Sequence, residues 1–77
     1  MIFLKLHNSL GVAYIVNMAH VEKFESNGAG HTTLTYARDT SITEYARESF
    51  EEVEELIGMA MELNRVVDVD DLRVAVR

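Results

Sequence analysis

The spacing of apolar residues changes at Ser49, and that change limits the fold more than any other feature of the chain. Before Ser49, apolar residues recur mostly at every second position, in short runs broken by turn clusters. After it, Phe50, Val53, Ile57, Ala60 and Met61 recur at three and four, with Leu56 and Leu63 widening the stripe. Period two is the mark of a strand with one buried face, and a three-and-four spacing is the mark of an amphipathic helix. Strands in series followed by one helix predict an α+β fold, a small antiparallel meander of four to five strands packed by a helix.

The helix has a defined start. Ser49-Phe50-Glu51-Glu52 is a capping box, in which the Ser49 hydroxyl accepts from the Glu52 backbone N–H and the Glu52 side chain reaches back. Acids in the first turn suit the positive end of the helix dipole. The predicted helix runs over about 50–64, with Asn64 as its stop.

Ahead of it, Met1–His7 reads as a strand with Ile2, Leu4 and Leu6 on one face. Asn8-Ser9-Leu10-Gly11 turns the chain into a second strand, Val12–Asn17, so the first two strands form a hairpin. After a corner at 17–20, a third strand (Val21–Ser26) and a fourth (His31–Ala37) flank Asn27-Gly28-Ala29-Gly30, a turn that accepts positive φ. Ile42–Arg47 is the fifth candidate. Beyond the helix, Leu72, Val74 and Val76 alternate with Asp71, Arg73, Ala75 and Arg77, which predicts a tail strand over about 72–77. The expected layout is a single domain over 1–77: sheet over 1–47, helix over 49–64, and a tail over 65–77. That tail strand would pair with its own sheet or with the sheet edge of a neighbouring copy.

The chain has 77 residues and no cysteine, so disulfides and thiolate zinc sites are excluded. A domain this small buries a modest share of its surface, and association is the remaining common way to stabilise it. A homo-oligomer is therefore expected, a dimer first, joined through Leu72, Val74 and Val76. The apolar start lacks a basic region, a long apolar stretch and a cleavage site, so it is not read as a signal peptide. No apolar run is long enough to span a bilayer. These features lead to the expectation of a soluble, cytoplasmic protein.

The net charge of −6 is unevenly placed. Residues 1–43 balance Lys5, Lys23 and Arg38 against Glu22, Glu25 and Asp39, while the acids concentrate between Glu44 and Asp71. No basic footprint for direct nucleic-acid binding exists. The acids instead suit a basic partner surface. Glu51, Glu54, Glu55 and Glu62 form the candidate partner-binding face, able to imitate phosphate spacing and occupy a basic nucleic-acid channel.

Nothing in the chain spells out a catalytic or metal site. His7, His20 and His31 have no zinc spacing and no adjacent serine–acid pair. Asp68-Val69-Asp70-Asp71 lacks the glycine and closing glutamate of a calcium loop and reads as a solvated acidic loop. Gly28-Ala29-Gly30 lacks the third glycine of a dinucleotide fingerprint and opens no helix. Tyr14, Tyr36 and Tyr45 suit either an interface or packing on the sheet. No cofactor is expected, and an enzyme is the least expected class.

Several local patterns point to a family. The opening Ile2-Phe3-Leu4, Asn17 followed by Val21-Glu22-Lys23-Phe24, the Thr33-Leu34-Thr35 strand and Glu48-Ser49-Phe50-Glu51-Glu52-Val53 resemble the FlbD-like family over residues 1–63. The resemblance implies a β-meander followed by one helix, with no catalytic residue. It also implies a homo-oligomeric, flagellar-accessory structural role as one reading. The leading expectation is a non-enzymatic binding module, a small acidic regulator or inhibitor. Phage-type counter-defence proteins, anti-CRISPR proteins among them, are similar in size and charge. A third reading is a nucleotide sponge, with Lys5, Lys23, Arg38 and Arg47 converging across a subunit interface.

Overall fold

A computed structural model describes residues 2–75. Five strands precede two helices: β1 (Phe3–His7), β2 (Ala13–Asn17), β3 (Val21–Ser26), β4 (Thr32–Tyr36), β5 (Thr43–Ala46), α1 (Phe50–Leu63) and α2 (Val69–Ala75). A one-turn 3-10 helix, Met18–His20, lies between β2 and β3. The class is the expected α+β.

β1 and β2 form the expected hairpin, with Leu4 opposite Val16 and Leu6 opposite Tyr14. Asn8 builds the turn: its side-chain oxygen accepts from Leu10 N–H at 2.9 Å and Val12 N–H at 3.0 Å. Gly11 closes it at φ 80°, a left-handed conformation that a Cβ would strain.

The strands do not make one meander. They divide into two sheets, β1-β2 and β3-β4-β5. The division falls at Met18–His20, where the Asn17 side chain caps the turn by accepting from Ala19 N–H at 3.0 Å. That turn redirects the chain, so β3 pairs with β4 instead of with β2. The sheets meet through two hydrogen bonds. The Arg47 N–H donates to the His7 carbonyl at 2.7 Å, and the Tyr14 hydroxyl donates to the Tyr45 carbonyl at 2.7 Å. Burial, followed by the charge of Glu44, pushes the Tyr14 hydroxyl above the ordinary tyrosine range, which keeps it a donor.

α1 begins and ends as its residues dictate. Ser49 and Glu52 form the reciprocal cap, and Asn64 closes the helix at φ 53°. Asparagine tolerates that left-handed geometry better than most residues. Val53, Leu56 and Ala60 bury the inner face against Leu4, Leu6, Val16, Leu34, Ala46 and Val67. Fully burying a leucine is worth about 1.5–3 kcal/mol, so these contacts supply most of the cohesion. The Phe24 and Phe50 rings add a tilted pair at 5.1 Å, tying β3 to the start of α1.

The tail differs from expectation. Residues 69–75 are helical, so the alternation of Leu72 and Val74 does not mark a strand; Val76 and Arg77 lie outside the described residues. Asp68-Val69-Asp70-Asp71 is the reason. Asp68 Oδ1 accepts from the N–H groups of Asp70 (3.0 Å) and Asp71 (3.3 Å), while Asp71 Oδ2 accepts from Asp68 N–H at 2.9 Å. This reciprocal bonding is a second capping box built from aspartates. Arg65 steadies it through Asp71 at 3.0 Å. That hydrogen bond, with the one from Asp68 N–H, holds the Asp71 carboxyl below its ordinary range. Ahead of α2, Val67 is buried and makes a single parallel bridge to Leu4, with Lys5 N–H donating to the Val67 carbonyl at 2.9 Å.

Candidate functional site

α1 presents two opposed faces. With Val53, Leu56 and Ala60 turned inward, a rotation of about 100° per residue groups Glu51, Glu55 and Glu62, with Glu54 beside them, on the outer face. All four are exposed. The helix contains no basic residue. Among the described residues none of the four acids has an ion-pair partner, whereas Glu25, Asp70 and Asp71 each do. Glu51 and Glu55 stand one turn apart, a like-charge spacing that costs the helix a few tenths of a kcal/mol. Glu62 lies in the last turn, where the dipole favours a base.

Gly58 lies in the middle of this face. It is exposed, its φ is not positive, and a Cβ placed on it would meet nothing within 4 Å. Neither backbone geometry nor internal packing requires a glycine there, yet one inside a helix costs about 0.5–1 kcal/mol relative to alanine. Beside it stands Met61, 66% exposed. The outer face of α1 is thus a smooth centre, an apolar shoulder and four uncompensated carboxylates.

A second feature was not legible as a site in the sequence. A groove of about 450 Å³ is lined by His7, Arg47, Glu48, Glu52, Val69, Asp70 and Arg73. Glu48, only 4% exposed, anchors its floor. Its Oε1 accepts from the His7 backbone N–H at 3.0 Å, and its Oε2 lies 2.6 Å from His7 Nδ1. The Glu48 carbonyl accepts from the buried Thr32 hydroxyl at 2.8 Å. His31 Nδ1 bonds the Arg47 carbonyl at 2.7 Å, so the two histidines grip the 47–48 segment from either side. Arg73 is paired with Asp70 at 3.0 Å. Much of the groove's charge is therefore satisfied internally, and its polar groups hold β1 against the 47–48 segment. The sequence signal was weak because His7 and Glu48 are far apart in the chain.

The other expected residues are dispersed. Leu72 packs partly against the core from α2, and Val74 is 67% exposed on the same helix, so neither belongs to a joining strand. Lys23 pairs with Glu25 at 3.6 Å, Arg38 borders a groove of about 480 Å³ beside His20 and Tyr36, and Arg47 borders the first groove. Within one chain these cations, with Lys5 on β1, do not form a cluster around one groove. Among the described residues no group of three or more His, Asp or Glu could hold a metal ion, and no helix is long and apolar enough to cross a membrane. Comparison with family models, with curated proteins and with solved structures gives no match to this chain.

Proposed function

We propose that this protein is a non-enzymatic binding module, a small acidic regulator or inhibitor that sets the outer face of α1 against a basic surface of a partner protein. The observation that carries the reading is the combination at that face: Glu51, Glu54, Glu55 and Glu62, all exposed and without an ion-pair partner among the described residues, around a Gly58 that no contact among them requires. Like-charge repulsion, a misplaced acid in the last turn and a mid-helix glycine each lower the stability of α1. Their presence on one face is accounted for if that face meets opposite charge at close range. The surface complementary to it is one that otherwise binds a nucleic-acid backbone, because carboxylates in a row present a phosphate-like field. A counter-defence role of the phage type is one setting in which such an inhibitor would work.

The test is a tagged pull-down from host lysate, with the wild type beside a variant carrying Glu51→Lys, Glu54→Lys and Glu55→Lys. The wild type should retain a basic protein that added duplex DNA displaces. The variant, with unchanged circular dichroism, should bind about a hundredfold more weakly, since like charges across an interface cost several kcal/mol. Equal capture by both would refute the reading.

A further inference from the structure

We propose that β2 pairs edge to edge with β2 of a second copy, antiparallel and about a twofold axis at Ile15, joining two hairpins into one four-stranded sheet. The inference comes from the strand edges and is independent of the acidic face of α1.

Each sheet in this fold has two outer edges, and three of the four are managed. The second edge of β1 is covered: Lys5 N–H bonds the Val67 carbonyl, His7 N–H bonds Glu48, and the His7 carbonyl takes the Arg47 N–H. The outer edge of β5 is capped by the Tyr14 hydroxyl on the Tyr45 carbonyl. β3 carries exposed Glu22, Lys23 and Glu25 and a bulge between Val21 and Lys23, devices that discourage pairing. β2 has none of these. Among the described residues it pairs with β1 alone, and no charged residue occurs between Asn8 and Ala19.

Backbone alternation shows what the bare edge offers. Lys5 and His7 direct their N–H groups away from β2, so the hairpin ladder runs through Leu4 with Val16 and Leu6 with Tyr14. On β2 the intervening residues, Ala13, Ile15 and Asn17, therefore direct their N–H and C=O groups outward. This set is symmetric about Ile15. An antiparallel second copy places Ile15 opposite Ile15, where each exchanges both bonds with the other, and Ala13 opposite Asn17, whose N–H donates to the Ala13 carbonyl while its own carbonyl serves the 18–20 turn. In that register Val12 faces Met18 of the second copy, so apolar side chains meet apolar ones. Ile15 is 62% exposed and Val12 58% exposed in the single chain.

Charge selects a second copy over a foreign strand. The whole chain carries −6, which would drive two copies apart, but residues 1–43 sum to zero and the excess of acids lies from Glu44 onward. Two copies meeting through β2 approach on neutral ground. The edge has no charge with which to choose a different segment, and its self-complementary register favours its own sequence.

The experiment is sedimentation equilibrium of the full chain from micromolar to millimolar concentration. The wild type should reach twice the 8.7 kDa chain mass. Ile15→Pro removes an outward N–H without touching the β1 ladder, a position where proline is tolerated. It should give a folded monomer. Ile15→Lys places two like charges directly opposite and should give the same result; it decides the matter if the proline variant does not fold. The charge-reversed α1 variant should keep the wild-type mass. A wild type that stays at 8.7 kDa throughout, or an oligomer whose mass Ile15→Lys leaves unchanged, overturns the proposal.

Discussion

Glu48 directs both carboxylate oxygens to His7, one to the backbone and one to the ring, and its own carbonyl to Thr32. It therefore fixes where β1 lies against the start of α1. Replacing it by alanine leaves the His7 N–H without its acceptor in a place that is nearly dry. Glu48→Ala should lose about 1–3 kcal/mol of stability in urea titration. Glu48→Gln keeps an oxygen for that N–H and should lose less. Equal stability of all three proteins would mean that the contact holds nothing together. None of this was legible in the sequence. His7 read as a polar residue at a strand end, and a partner 41 positions away leaves no local pattern.

At the scale of elements, α1 was legible from both of its ends and its stripe, because capping and amphipathic spacing are local properties. Every buried α1 residue lies on the expected stripe. α2 was not legible, because Leu72, Val74 and Val76 match period two while the deciding signal sat just ahead of them. Asp68 and Asp71 form the cap, and an aspartate-rich loop hides a capping box unless its reciprocal geometry is seen. The five strands were legible within a residue or two, yet their division into two sheets was not. The corner at 17–20 was legible, but the residues of a turn do not say whether the strands on either side of it pair with each other. The glycine in α1 supplies the prediction here. Gly58→Ala should raise stability by about 0.5–1 kcal/mol, read as a higher urea midpoint. A lower midpoint would show that the fold itself needs the glycine and would remove one support for a close-approaching partner.

Across the whole molecule, one apolar cluster joins every part. Leu4, Leu6 and Val16 come from the hairpin, Leu34 and Ala46 from the three-stranded sheet, Val53, Leu56 and Ala60 from α1, and Val67 from the segment before α2. With no second core among the described residues, unfolding should be a single event. Tyrosine fluorescence, which follows the sheets, and far-ultraviolet circular dichroism, which follows α1, should give the same urea midpoint. Separate midpoints would mean that the hairpin or the helix opens by itself. The Leu4–Val67 bridge has a further bearing, on the timing of biosynthesis. β1 is synthesised well before Val67, and although Arg47 and Glu48 reach His7 earlier, the Lys5 N–H has no partner on that edge until Val67 follows. At about 5–20 residues per second, the delay is on the order of several seconds. A nascent hairpin whose β1 edge is incompletely covered is the species a chaperone would meet.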